Sequence, residues 1–255
     1  TLRFEHLSVE QGLAQESVLS VQQDAQGFMW FGSQAGLSRY DGYRVTLFRN
    51  VVNDPTSLAN NWVRVLHTDR LGRLWVGTDG GLDLYLPESR TFRHYLPREP
   101  ERGGNGSRRV RAIAEDRNGD LWLATGDGLQ HFNTRTGKYR YWHRGQGPGA
   151  LRDDQINALA FDASGRLWIG TPAGLASLKP GADALEHHPI ATGGNSGRGA
   201  VQALVVDRAQ NLWIGTMAGV EVRSTASPNT PGRHFDEARH GLPDINTTAL
   251  YEDVD

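Results

Sequence analysis

Residues 116–132 read DRNGDLWLATGDGLQHF, and versions of this stretch recur at 24–40 (DAQGFMWFGSQAGLSRY), 69–85 (DRLGRLWVGTDGGLDLY), 162–178 (DASGRLWIGTPAGLASL) and 207–222 (DRAQNLWIGTMAGVEV). One tryptophan marks the same place in each copy: Trp30, Trp75, Trp122, Trp168 and Trp213, at intervals of 45, 47, 46 and 45 residues. A period of that size marks a repeat architecture, in which each unit is one supersecondary element.

Within the unit, a short apolar run such as Leu167-Trp168-Ile169 lies between Gly165 and Gly174. β-Branched and aromatic residues bounded by Gly and Asp read as strand. The D-x-x-G segment ahead of the run suits a tight turn, because Asp accepts from backbone two residues on and Gly supplies a positive φ. A second extended run precedes each Asp: SVLSVQQ (17–23), WVRVLHT (62–68), VRAIAE (110–115), INALAF (156–161) and VQALVV (201–206). More polar runs follow, for example Val45 to Phe48, Thr91 to Tyr95 and Lys138 to Trp142. Four antiparallel strands repeated at this period predict an all-β chain, a β-propeller of four-stranded blades with the repeated tryptophans packed between successive blades.

In register, the chain divides as a single propeller fragment, 1–255. Complete blades are expected at about 14–50, 60–97, 108–144, 154–190 and 199–236, with an outer-type strand at 1–13 and the start of a sixth blade at 244–255. RFEHLSVEQGL (3–13) resembles HFDEARHGL (234–242), which is the reason for placing an outer-type strand first. Open blade edges would invite self-association, and a parent of about six or seven blades is expected. Two of the inter-unit segments, Arg98 to Arg108 and Ala191 to Gly199, are Gly-rich and read as mobile.

Composition narrows the function classes. A formal net charge of −2, with basic residues spread along the chain, gives no basis for nucleic-acid binding. No apolar stretch approaches the ~18 residues that span a bilayer. The absence of Cys excludes disulfides and cysteine-based zinc sites, and the scattered histidines give no metal spacing. No metal or cofactor is expected. The acidic pair Asp153-Asp154 is read as solvated loop rather than as a cation site.

The intact motif D-x-x-G-x-L-W-x-G-T-x-x-G-L, at Asp69 to Leu82 and Asp162 to Leu175, resembles the two-component regulator propeller repeat, as does the preceding Gly12, Leu13 and Val18. Three departures, Gln210 for the turn Gly, Ser33 for Thr and Ala124 for Gly, are expected to loosen turns and packing locally. The resemblance implies a periplasmic sensor region of an inner-membrane receptor, whose parent carries a histidine kinase or diguanylate cyclase. The fragment itself is then no enzyme.

Residues needed once per blade serve the blade, so a site is sought where the blades disagree. Seven residues ahead of the repeated Asp stand Ser17, Trp62, Arg109, Gln155, Ala200 and Asn246; five ahead stand Leu19, Arg64, Arg111, Asn157, Gln202 and Thr248. Variable polar residues at the start of innermost strands are expected to line a channel mouth. The candidate ligand contacts are Trp62, Arg64, Arg109, Arg111, Asn157 and Gln202, for a small molecule or oligosaccharide. Trp can stack on a sugar face and Arg can hold a carboxylate. The rivals are a propeller enzyme, lyase or glycoside hydrolase, and a protein-interaction scaffold. The enzyme reading wants paired carboxylates, and these positions hold no Asp or Glu.

Overall fold

The computed structural model describes residues 6–96, 108–190, 199–230, 232–236, 240–241 and 246–252. Five four-stranded antiparallel sheets are present, each a simple meander in sequence order. The first holds β1 (Val18–Gln23), β2 (Met29–Ser33), β3 (Gly36–Tyr40) and β4 (Val45–Phe48); the second holds β5 (Val63–Thr68), β6 (Leu74–Thr78), β7 (Gly81–Leu86) and β8 (Thr91–Tyr95). The third is β9 (Val110–Glu115), β10 (Leu121–Thr125), β11 (Gly128–Phe132) and β12 (Tyr139–Trp142). The fourth is β13 (Ala158–Phe161), β14 (Leu167–Thr171), β15 (Gly174–Leu178) and β16 (Glu186–His188), and the fifth β17 (Val201–Val206), β18 (Asn211–Thr216), β19 (Gly219–Ser224) and β20 (Arg233–Phe235). The chain is thus all-β and built of propeller blades. It forms two compact units, Thr1–Ile113 and Ala114–Asp255, whose boundary falls inside β9.

The repeated Asp does more than shape a turn. Its Oδ2 accepts the indole Nε1–H of the tryptophan six residues on, at 2.7 Å for Asp24–Trp30, 2.7 Å for Asp69–Trp75, 3.2 Å for Asp116–Trp122, 3.0 Å for Asp162–Trp168 and 2.8 Å for Asp207–Trp213. Its Oδ1 meanwhile accepts turn amides, those of Leu71 and Arg73 at 3.0 and 2.9 Å in the second blade. One carboxylate therefore ties the turn to the buried ring, which a buried N–H requires. In the first unit Trp30 packs edge-on against Tyr85 of the next blade, with ring centroids 4.8 Å apart. In the second unit Trp168 shares a core with Val201, Leu204, Leu212 and Ile214 of the following blade.

Two of the three departures, Ser33 and Gln210, are absorbed locally. Ser33 makes the bonds of its threonine counterparts, donating to Gly36 O at 3.0 Å and accepting from Ala35 N at 3.2 Å. Gln210 adopts φ +60°, the left-handed region in which Gly27, Gly72, Gly119 and Gly165 sit in the other turns. Its side chain also accepts from Ala163 N at 2.6 Å. Gln210→Gly and Gln210→Ala both lose that bond and only Gly relieves the backbone, so Gly is expected to be more stable than Ala by about 1 kcal/mol in urea unfolding.

Both ends differ from expectation. Val9–Gln11 form a short 3₁₀ turn where an outer-type strand is predicted over 1–13, and residues 1–5 lie outside the described residues. The cause is local: Ser8 and Gln11 form a capping box and Gly12 closes the turn at φ +104°. Residues 246–252 likewise form no strand, although Thr247 N donates to Thr216 O at 3.0 Å. In the five sheets the inner strand is held by the second strand of its own sheet, and among the described residues 246–252 pair with no such strand. The Gly-rich segments predicted to be mobile lie mostly outside the described residues, at 97–107 and 191–198.

In the first unit, Asp83 of β7 is fully buried and accepts from Ala59 N at 2.8 Å, with His94 Nδ1 2.7 Å from its other oxygen. The Asp83 hydrogen bond raises the His94 pKa against the opposing effect of burial, and burial raises that of Asp83 despite His94. Both folded groups hold protons more tightly than in the unfolded chain. The contribution of His94 is therefore complete below its ordinary value of 6.5 and is lost as pH rises through its folded value, whereas that of Asp83 is complete only below its ordinary value of 3.8. Urea midpoints compared at pH 6 and 8 should fall with pH, and His94→Gln should flatten that slope.

Candidate functional site

Trp62 stands one residue ahead of β5 and Arg64 within it; Arg109 stands one residue ahead of β9 and Arg111 within it. All four belong to the first unit. The register of β5 explains how Arg64 reaches its partner. Val63 pairs with Thr78 and Val65 with Gly77, so Arg64 is the extra residue of a β-bulge. Leu19 and Gln202 hold the same bulge position in the first and fifth sheets. A bulge re-aims one side chain out of strand alternation.

That side chain grips Asp79, which sits in the turn between β6 and β7. Arg64 Nε pairs with Oδ1, and Nη2 donates to Oδ2 at 3.1 Å. Arg109 Nε lies 3.3 Å from the same Oδ1, an ion pair outside hydrogen-bond geometry, and it is buried without a hydrogen-bond partner. The Arg64 guanidinium also covers one face of the Trp62 indole, its Cζ 4.6 Å from the ring centroid. Arg111 Nε and Trp62 Nε1 are buried with no hydrogen-bond partner. Burial, then the charges of Arg64 and Arg109, lower the Arg111 pKa from the ordinary arginine value, and Asp79 offsets this only in part. Three guanidiniums thus face one carboxylate.

Asn157 and Gln202 belong to the second unit. Asn157 donates to Val201 O at 2.9 Å and accepts from Gln155 Nε2 at 3.0 Å, so its amide is engaged within the blades. Gln202 is half-buried at the β17 bulge. Trp142, the other tryptophan outside the repeat position, packs 5.1 Å from Trp122 and donates to Asp183 O at 3.1 Å. Asp79 was missed because it is not on an inner strand. The signal was nevertheless present in the unit, since the residue after the repeated Thr or Ser varies freely: Gln34, Asp79, Gly126, Pro172 and Met217.

Two other clusters occur in the second unit. Asp116, Asp120 and His131 bring ligand atoms within 4.8 Å of one another. Their oxygens are occupied by Trp122 Nε1 at 3.2 Å, Asn133 Nδ2 at 2.8 Å and Thr134 N at 3.1 Å, and the imidazole packs 4.7 Å from the Trp122 ring. A cleft of about 620 Å³ is lined by Arg152, Arg166, Lys179, Glu186, His187 and His188, among others. There Glu186 already pairs with Lys179 and stands 3.5 Å from Arg166. In the acidic loop, Asp153 accepts from Gln155 N at 2.9 Å and Asp154 from Arg144 N.

Comparison with known proteins bears on this geometry. A family model described as "Two component regulator propeller" matches residues 12–35, 57–80, 103–127 and 150–173, each match running from an inner strand through the Trp strand. This chain carries two component regulator propeller repeats. The chain is similar to the extracellular domain of the hybrid two component system BT3049 from B. thetaiotaomicron, at 27% identity and a TM-score of 0.75 over 88% of this chain and 31% of that one. It is 36% identical over 56 residues to histidine kinase P4 of Formosa agariphila, which is 22% of this chain and 4% of the kinase. Virginiamycin B lyase from Staphylococcus aureus, at 13% identity and a TM-score of 0.63 over 86% of this chain and 69% of that one, shares the fold alone. This chain therefore spans less than a third of the BT3049 domain. Among the described residues, no helix is long and apolar enough to cross a membrane.

Proposed function

We propose that this propeller is the ligand-sensing, extracytoplasmic part of a bacterial receptor. It binds a small molecule or oligosaccharide at the inner-strand cluster and passes the signal to a cytoplasmic kinase or cyclase. The observation that carries this reading is the convergence of Arg64 and Arg109 on Asp79 beside Trp62 and Arg111, with three buried N–H groups left without hydrogen-bond partners. Buried donors without acceptors are costly to stability, and such sites are favoured where a ligand supplies the acceptor. The extracellular two-component relative supports the placement outside the cytoplasm, and we place the propeller in the periplasm.

Titration of the purified chain with acidic and neutral oligosaccharides, followed by tryptophan fluorescence and calorimetry, tests the reading. Binding is expected, and it should vanish when Trp62 and the three arginines are replaced together. Binding that survives that replacement removes the cluster from consideration; no binding across the panel removes the sensing role.

A further inference from the structure

We infer that the group this cluster recognises is an oxyanion, a carboxylate or sulfate on the ligand, and that Asp79 is an internal anion which the ligand's oxyanion competes with or displaces. This deepens the sensing role proposed above and rests on it. The first ground is charge. Arg64 satisfies Asp79 through both oxygens, so a single carboxylate is shared among three cations and leaves two positive charges uncompensated. Like charges held together in a half-buried place repel, and an added anion relieves that repulsion.

The second ground is the set of donors. Arg109 Nε, Arg111 Nε and Trp62 Nε1 are buried without hydrogen-bond partners, and each of them donates only. A neutral hydroxyl can accept from one of these but leaves the charge where it was. An oxyanion brings several acceptor oxygens and the missing negative charge together. The third ground concerns the indole. Arg64 already covers one face of Trp62, so the ring there serves the guanidinium that holds Asp79 rather than a sugar face.

The arrangement also orders the parts. Arg64 carries the internal carboxylate through hydrogen bonds to both oxygens, while Arg109, just ahead of β9, and Arg111, within it, keep Nε–H donors that no acceptor fills. Asp79 is then the specificity device: a ligand must offer a stronger or better-placed anion than the one built in, which rejects neutral sugars.

The test uses three probes that share one ring, D-glucuronate, D-glucose 6-sulfate and D-glucose, titrated into the intact chain at ionic strength matched with chloride. Binding of glucuronate or the sulfate is expected, with D-glucose weaker by 10-fold or more, an order expected for loss of a charge-assisted bond. Which of the two anions binds more tightly assigns carboxylate or sulfate. Arg111→Gln should weaken anion binding by about 10- to 100-fold. It should also melt at a higher temperature than the parent in the absence of ligand, because it removes a like charge. Asp79→Asn should tighten anion binding by about 10-fold, since the internal competitor is neutralised. If Asp79→Asn does not fold alone, recovery of its melting transition on adding the anion replaces that readout. Equal binding of D-glucose, or anion binding indifferent to Arg111→Gln, overturns the inference and leaves the sensing role standing. Absence of binding by both anions overturns the inference, and only failure of the wider oligosaccharide panel takes the sensing role with it.

Discussion

Asp69→Ala is expected to destabilise the first unit by about 3–5 kcal/mol, the range for a broken buried network. Asp69 is 4% exposed and accepts from four donors at once: Leu71 N at 3.0 Å, Arg73 N at 2.9 Å, Arg73 Nε at 2.6 Å and Trp75 Nε1 at 2.7 Å. Alanine strands the indole N–H of a fully buried Trp75 and opens the turn that leads into β6. Asp69→Asn keeps the shape but offers one acceptor oxygen in place of two and a new donor against Trp75 or Arg73, so it should fall between parent and alanine in urea unfolding. Equal stability of parent and alanine variant would mean that the carboxylate does not anchor the ring. Acid should mimic the variant. Burial alone would raise the Asp69 pKa, but bonds from Trp75 and Arg73 together leave it below the ordinary value of 3.8. The stability it contributes is therefore present above that value and is lost as pH falls through the lower folded one.

Gly170→Ala is expected to cost about 1–3 kcal/mol, the penalty of overpacking a close contact. Gly170 is not among the residues with positive φ, so alanine meets no backbone objection. The obstacle is the next blade: a Cβ at Gly170 would stand 2.5 Å from Val201 Cγ1 and 3.1 Å from Val201 Cβ. The same approach recurs at Gly32 against Val63, at 2.7 Å, and at Gly215 against Thr247, at 2.9 Å. Gly170→Ala combined with Val201→Ala should recover part of the loss, with a coupling energy of about 1 kcal/mol. Additive losses would show that the glycine is not kept for blade contact. Chemical denaturation of the four combinations decides between them.

Much of the blade was legible because its cues are local. Strand bounds followed from short apolar runs, and β5, β9 and β17 came within one residue of their predicted limits. The turn chemistry of D-x-x-G held even where Gln210 replaces glycine, since the Asp207 carboxylate still accepts Asn211 N at 2.7 Å. The ends were less legible, because an outer strand has no identity without a sheet to join. At Ser8 to Gly12 a capping box and a left-handed glycine outweighed a weak likeness to 234–242.

The sequence by itself determined the period, the four-stranded meander, the tryptophan that each blade buries and the positions at which blades differ. These depend on neighbours a few residues apart, where spacing and propensity act directly. Only the tertiary structure decided which of the differing positions meet. Asp79 joins Arg64, Arg109 and Arg111 because a bulge in one strand, a turn in the same sheet and the start of another strand converge. No spacing along the chain encodes that convergence, which depends on how a sheet bends and on which loop its edge brings alongside.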